Sequence, residues 1–343
     1  MRHKKKVSRS YAKKTQSYTE EESYRSSDQS RLYQWSIRIL WLLLAGLLVI
    51  TGIVALERQF WVADFLVSFR PIFALAALAL CLLTFTTKQR RMQILAALLL
   101  CVNGFDLLPY YWPHPAVDTS NLRLLLYNAD RNYLPYAGIE SIVAMIEEEQ
   151  PQVAVLLEIG EVQATALIEA LQDHYPHHLE HQDTETDGFL ILSQLPLGSA
   201  EPTSIGGGRM AARFTIDIDG NTVQLVSPHP TNPLWSLDER NDQVAALAEW
   251  VATADKPLIV AGDLNITMWA RNYKAIEHAG VTNTRRGRGV LPTWHSPVPF
   301  MTLPIDHVLV SPEIGVHALQ VMPSLGSDHL PQVVDLAVPL NSR

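Results

Sequence analysis

Pro257-Leu258-Ile259-Val260-Ala261-Gly262-Asp263-Leu264-Asn265 is a short apolar run that stops on a glycine and then offers two polar side chains two residues apart. An apolar run of this length, bounded by proline and glycine, reads as a buried strand. The end of such a strand is where a packed sheet can hold a side chain rigidly at a common mouth. The same arrangement recurs on both sides of it. Asn128 and Asp130 follow the run 122–127, Glu158 follows 153–157, and His229 ends 223–228. Asp306 and His307 open Asp306-His307-Val308-Leu309-Val310, and Asp328 and His329 precede Leu330-Pro331-Gln332-Val333-Val334-Asp335-Leu336. One polar residue at a strand end is an ordinary turn former; a series of them along one domain points to a site.

Outward from these points, residues 189–192, 214–218 and 333–336 also read as strands. Ile139, Ile142, Val143 and Ile146, and later Val244, Leu247, Ala248 and Val251, recur at helical spacing. Residues 118–343 are therefore expected to form one mixed α/β domain, long enough to bury a core. His174, His177, His178 and His181 fall in a polar stretch and read as a solvated loop rather than a zinc site. Arg285, Arg286 and Arg288, interleaved with glycine, read as a flexible surface loop, with a clamp on a second phosphate as the alternative. His307 is expected to be structural, because neighbouring strand residues point to opposite faces.

The first third of the chain has another character. Residues 1–35 are rich in Ser, Tyr and Lys and read as a disordered basic tail, too polar for a signal peptide. Residues 36–117 hold three apolar runs, 39–56, 71–87 and 94–108, each expected to be a transmembrane helix. The third ends in Pro109-Tyr110-Tyr111-Trp112, which reads as an interfacial belt, and it is the weakest because it carries Asn103 and Asp106. The basic tail and Lys88-Gln89-Arg90-Arg91 belong on the cytoplasmic side by the positive-inside rule. Three crossings then put the C-terminal domain outside, in the periplasm or beyond it if the membrane is a bacterial inner membrane.

Charge divides the chain at the same boundary. Residues 1–117 carry 15 Lys+Arg against 7 Asp+Glu, a net +8, and residues 118–343 carry 12 against 28, a net −16. An acidic domain binds long nucleic acid poorly, since that affinity rests on Lys and Arg neutralising phosphates. The two cysteines, Cys81 and Cys101, lie in apolar runs, so neither a disulfide framework nor a cysteine metal site is available.

Tyr127-Asn128-Ala129-Asp130, Leu156-Leu157-Glu158, Gly262-Asp263-Leu264-Asn265, Ile305-Asp306-His307 and Ser327-Asp328-His329-Leu330-Pro331 together resemble, in order and approximate spacing, the endonuclease/exonuclease/phosphatase superfamily. Ile191-Leu192-Ser193-Gln194-Leu195-Pro196 and Arg240-Asn241-Asp242-Gln243 support the likeness, which covers about residues 122–338. The resemblance implies a four-layer α/β sandwich, two central mixed sheets with helices outside, and hydrolysis of a phosphodiester or phosphate ester with Mg²⁺, Mn²⁺ being the alternative. It assigns Glu158 as the principal metal ligand, with Asn128, Asp130 and Asp328 around the metal. Asp263 would orient or deprotonate the attacking water, and Asn265, with Asn128, would bind the phosphate. Asp306 would orient His329, which faces the phosphoryl oxygen with His229 opposite.

The substrate stays open at this level among nucleic acid, a phospholipid head group and a soluble phosphoester. The apolar Pro297-Val298-Pro299-Phe300-Met301 and Trp269 are expected either to meet lipid or to pack internally. A membrane-bound binding or signalling protein that keeps the fold without turnover is the alternative from another class. It is separated from the enzyme by whether the strand-end residues converge on one pocket.

Overall fold

The computed structural model describes residues 31–57, 61–130, 137–184, 187–296 and 301–339. The chain divides into two compact units, one formed by Met1–Ala55 with Pro71–Phe105, the other by Leu56–Arg70 with Asp106–Arg343.

The first unit is helical. Helix α1 (Arg31–Val54) begins inside the stretch expected to be tail, so the described residues 31–35 are its first turns. Helix α2 (Trp61–Val67) belongs to the second unit, and α3 (Arg70–Phe85) and α4 (Arg90–Gly104) return to the first. Leu44, Leu47, Ala77, Leu80, Met92, Ala96 and Leu99 form one apolar cluster between α1, α3 and α4. Asn103 is buried, donating from Nδ2 to the Leu99 carbonyl at 2.8 Å and to Thr51 Oγ1 at 3.0 Å, which removes the cost of an unpaired amide in an apolar helix. Among the described residues two helices, Arg31–Val54 and Arg90–Tyr111, are long and apolar enough to cross a membrane, or three if Trp61–Val67 and Arg70–Phe85 count as one broken span. The candidate that falls short by length is the middle one, since α3 alone has 16 residues, whereas the third apolar run, expected to be the weakest, lies in a helix of 22 residues.

The second unit carries the sheets. A short helix, α5 (Leu108–Tyr111), leads into it. In chain order there follow β1 (Leu122–Asn128), α6 (Ala137–Glu149), β2 (Val153–Leu157), α7 (Glu161–Leu171), β3 (His177–Thr184), β4 (Asp187–Ser193), β5 (Leu197–Ser204), β6 (Met210–Ile218) and β7 (Asn221–Ser227). Then come α8 (Leu237–Thr253), β8 (Leu258–Asp263), α9 (Arg271–His278), β9 (Thr282–Asn283), β10 (Trp294–His295), β11 (Thr302–Leu303), β12 (Asp306–Val310), β13 (Gly315–Val321) and β14 (Gln332–Ala337). One six-stranded sheet has the order β13-β14-β1-β2-β4-β3, the other β5-β6-β7-β8-β12-β9. Both are mixed: β1 and β2 pair in parallel across α6, β7 and β8 in parallel across α8, and the remaining pairs are antiparallel.

Strand alternation builds the layers. Leu124, Leu126, Val155, Leu157 and Ile191 of the first sheet meet Phe214, Ile216, Leu225, Ile259, Ala261 and Val308 of the second in one buried core. The residues between them in sequence, Leu125, Tyr127, Ala154, Leu156, Leu190 and Leu192, face Ile142, Ile146, Ala164 and Leu167 of α6 and α7. On the other side α8 buries Val244, Leu247, Ala248 and Val251, and α9 buries Tyr273 and Ile276.

The unit is larger than residues 118–343. Segment Leu56–Arg70 belongs to it, as does the stretch from Asp106. Asp106 ion-pairs with Arg70 and Lys274, so this carboxylate is satisfied within the unit. Tyr110 is buried rather than interfacial, and its carbonyl and that of Pro109 accept from Gly289 and Gly287. The loop that supplies those glycines is not a flexible clamp: Arg285 is fully buried, Arg286 pairs with Glu277 at 3.0 Å, and Arg288 donates to the Val316 carbonyl. Of the histidine cluster, His174 lies in the turn after α7, whereas His177, His178 and His181 are on the edge strand β3 and not in a loop. Trp269 is buried and packs internally. Pro297-Val298-Pro299-Phe300 lie outside the described residues.

Candidate active site

Parallel pairing sets the first half of the site. Asn128 is level with Leu157 at the ends of β1 and β2, so Glu158, one residue further, stands beside Asn128. Val226 is level with Val260, which carries Pro228 and His229 to the end of β8 and Asp263. Gly262 permits the approach: a Cβ there would lie 2.1 Å from the Pro228 carbonyl oxygen. Antiparallel pairing then sets Asp306 opposite Asp263. Asp130, Glu158 and Asn265 have φ of 46°, 52° and 49°. Each follows a strand and turns through the left-handed region, a conformation that costs non-glycine residues and is kept where the surroundings impose it.

The side chains converge. Asn128 Nδ2 donates to Asp263 Oδ2 at 3.0 Å and to Glu158 Oε1 at 3.2 Å, while its Oδ1 accepts from the Asp130 amide, which fixes the amide's orientation. His229 Nε2 lies 3.5 Å from Glu158 Oε1 and 3.6 Å from Asp263 Oδ2. His329 Nδ1 is 2.9 Å from Asp306 Oδ2, and its Nε2 is 3.8 Å from Asp263 Oδ2 and 3.9 Å from Asp328 Oδ1. Ser327 ties this loop to β1, donating to the Asn128 carbonyl and accepting from the His329 amide, both at 2.9 Å. Asp130, Glu158, His229, Asp263, Asn265, Asp328 and His329 all line one cavity of about 310 Å³. Asn128 and Asp306 lie buried behind that wall. His307 points away from it: Nε2 contacts the Ile266 carbonyl at 2.8 Å and Nδ1 faces Asn283 at 3.1 Å. Burial holds this imidazole down at about 3, in its neutral form.

The electrostatics follow from the burial. Burial and the neighbouring Asp306 charge push Asp263 up to about 7, against the pull of His329 and the Asn265 amide. Burial lowers His329, but the Asp306 carboxylate outweighs it and raises the imidazole to about 10. Burial raises Asp306, and the His329 imidazolium more than reverses that and holds it low. Asp328 is raised by burial and by the Asp130 carboxyl, against His329 and the Trp294 indole, whose Nε1 donates to it at 2.8 Å. At neutral pH this is a buried imidazolium facing a carboxyl that exchanges its proton readily.

A divalent cation fits here. Ligand atoms of Glu158, His229 and Asp263 lie within 4.8 Å of one another, as do those of Asp263, Asp306 and His329. Besides Asp64, which Arg240 engages, the carboxylates of Asp130, Glu158, Asp263 and Asp328 share the cavity wall, an oxygen-rich set that a hard cation neutralises.

Two arginines stand here, of which the sequence did not announce Arg209. Arg209 Nη1 lies 2.6 Å and 2.8 Å from the two ring nitrogens of His229 and 3.8 Å from Glu158 Oε1. It follows Gly206, Gly207 and Gly208, all at positive φ, a loop pinned to α8 by Gln243 Nε2 donating to the Gly207 carbonyl. Three consecutive glycines before an arginine were the available signal. Arg240, in the supporting motif on α8, is buried and donates from Nη1 to the Asn265 carbonyl at 2.8 Å.

Comparison with known proteins agrees with this geometry. Among solved structures, humanized D. rerio TDP2 is 16% identical with a TM-score of 0.56, covering 63% of this chain and 99% of its own. An endonuclease/exonuclease/phosphatase from Beutenbergia cavernae is 24% identical with a TM-score of 0.53, covering 64% of this chain and 72% of its own. A 3′ phosphatase from Neisseria, solved bound to product DNA hairpin, is 18% identical with a TM-score of 0.52, covering 62% and 98%. No curated protein sequence matches the chain. The model of the Endonuclease/Exonuclease/phosphatase family matches residues 119–329, which take in every strand except β14 and every strand-end residue described above. The chain therefore belongs to the endonuclease/exonuclease/phosphatase family, whose members are typically metal-dependent hydrolases of phosphodiesters or phosphate esters.

Proposed function

We propose that the protein is a Mg²⁺- or Mn²⁺-dependent phosphoesterase, held to a membrane by the helices that precede its sheets, with its catalytic unit outside the cytoplasm. The observation that carries the reading is the convergence of Glu158, Asp263, Asn265, Asp328 and His329 on one cavity wall. A binding protein without turnover has no need for a buried carboxyl and a buried imidazolium set 3.8 Å apart.

Asp263 accepts a proton from the attacking water, a task suited to a group that titrates near the working pH. His329, kept protonated and oriented by Asp306, donates to a non-bridging phosphoryl oxygen, and the Arg209 guanidinium beside His229 presents positive charge from the other side of Asp263. Asn265 spends one N–H on the Pro230 carbonyl at 3.0 Å and turns the other to the phosphate. Asn128 holds Glu158 and Asp263 apart by hydrogen-bonding both. Glu158, with Asp130 and Asp328, would hold the cation, which when bound neutralises charge developing on the phosphate oxygens.

The test is turnover of bis-p-nitrophenyl phosphate by the purified full chain. Activity is expected with Mg²⁺ or Mn²⁺ and lost to chelator, and Asp263→Ala and His329→Ala should each lower kcat by about 10²-fold or more. Unchanged turnover in either variant rejects the mechanism. A C-terminal reporter fusion tests the orientation, and reporter activity confined to the cytosol rejects the outside placement.

A further inference from the structure

Among the large apolar side chains left exposed on the second unit, Leu108, Tyr111, Trp112 and Val162 stand apart from the cavity, while another group gathers at its mouth. Trp61 is 70% exposed, Phe65 44%, Leu234 79% and Trp235 67%, and all four line the cavity that holds Asp263 and His329. Phe69 stands beside them. Exposed apolar residues scattered singly mean little, whereas a cluster at the mouth of a polar site marks a surface that something apolar covers.

Both sources of this wall are held in place. Leu234 and Trp235 sit on a turn closed at Asn232, whose Oδ1 accepts from the Leu234 amide at 2.9 Å and whose carbonyl accepts from the Trp235 amide at 2.9 Å. Trp61, Phe65 and Phe69 come from segment Leu56–Arg70, where Asp64 is gripped by Arg240 through both oxygens at 2.7 Å. That segment is continuous with apolar helices at both ends, since α1 stops at Val54 and α3 starts at Arg70.

The occupant follows from the two ends of the cavity. At one end His229, His329 and Arg209 suit an anionic phosphate; the other offers hydrocarbon and aromatic faces. The guanidinium of Arg240, on the wall away from Arg209, is engaged by Asp64 and the Asn265 carbonyl, so it does not track a nucleic-acid backbone. Resting on the phosphoesterase reading above, we propose that the substrate is a lipid-linked phosphoester drawn from the bilayer. Its phosphate lies at Asp263 and its hydrocarbon chain along Trp61, Phe65, Phe69, Leu234 and Trp235. Hydrolysis adds one water across a P–O ester bond and releases an alcohol and a phosphate that keeps the remaining ester.

The experiment uses the full chain in nanodiscs with Mg²⁺ and a series of p-nitrophenyl alkyl phosphates from methyl to dodecyl, which share one leaving group. Each methylene taken out of water is worth roughly threefold to fourfold, so kcat/KM should rise by at least about tenfold along the series. Long chains also concentrate in the bilayer whatever the wall does, so the decisive quantity is the dodecyl-to-methyl ratio in Leu234→Ser and Trp235→Ser. Their side chains are largely exposed, and the ratio should fall about tenfold in the double variant, with thermal midpoints reported alongside. A flat series, or a ratio the variants leave unchanged while the methyl ester is still hydrolysed, overturns the lipid assignment and leaves the phosphoesterase standing. Failure of every ester rejects both. Preferential cleavage of a single-stranded oligonucleotide, lost in Trp235→Ser, would show the aromatic wall to be a base-stacking platform instead.

Discussion

Arg240 grips Asp64 with both carboxylate oxygens at 2.7 Å while its other terminal nitrogen donates to the Asn265 carbonyl at 2.8 Å. One buried guanidinium thus fixes both a cavity-wall helix and the catalytic loop after β8. Removing one partner of a buried pair costs about 3–5 kcal/mol, because the other is left uncompensated. Asp64→Ala is expected to lower the thermal midpoint and to reduce kcat through the Asn265 loop. Arg240→Ala should do the same, and the double variant should lose less than the two single losses together. Additive losses would show that the pair is not coupled.

The pH dependence of the metal-free protein follows from two raised groups. His329 rises from an ordinary 6.5 to about 10, so its stabilisation is complete below about 6.5 and is lost as pH climbs through about 10. Asp263 rises from 3.8 to about 7, so the fold disfavours its ionised form and stability falls as pH rises from about 3.8 through 7. With chelator present, the thermal midpoint should decline between pH 5 and 8 in the wild type and decline less in Asp263→Asn. Equal slopes would contradict the assignment.

Divalent cation should stabilise the chain by mass action, and by more at pH 8 than at pH 5.5, since below about 7 the cation must displace a proton from Asp263. Thermal shift against Mg²⁺ concentration measures this directly. Glu158→Gln should abolish the shift; a full shift in that variant would place the cation elsewhere.

Gly262→Ala is expected to be harmful out of proportion to one methyl group. The Cβ would meet the Pro228 carbonyl oxygen at 2.1 Å, and forcing such a contact costs about 1–3 kcal/mol. Relief requires the ends of β7 and β8 to separate, which carries His229 away from Asp263. Activity should fall further than the loss of stability accounts for, as read from kcat at a temperature where the variant is fully folded.

How much of this was legible depended on where each residue lies. The runs around Leu124, Val155, Leu225, Ile259 and Val308 announced central strands because both neighbours bury them. Edge strands did not: β3 and β5 run as His-His-Leu-Glu-His-Gln-Asp-Thr and Leu-Gly-Ser-Ala-Glu-Pro-Thr-Ser, because solvent on one side removes the need for an apolar pattern. Asp263, His329 and their neighbours could be found as polar residues at strand ends, whereas Arg209 reaches His229 from a glycine loop with no periodicity. The apolar segment 61–69 was hidden by its neighbours, since between two apolar runs it reads as a linker. Arg285 misled for the opposite reason: a glycine-flanked arginine looks exposed, yet its Nη1 donates to the Asp306 carbonyl at 2.9 Å beneath the site.

The wall formed by Leu56–Arg70 has a last consequence, for modularity. The catalytic unit begins at Leu56, breaks off at Arg70 and resumes at Asp106. No single cut can separate it from α3 and α4. A protease acting between Gly104 and Leu122 would shed a globule that has left part of its own pocket behind, and recombination at that junction would transplant the sheets without the wall supplied by Trp61, Phe65 and Phe69. Exchange of this unit therefore has to carry α3 and α4 along, or rebuild the wall from other material.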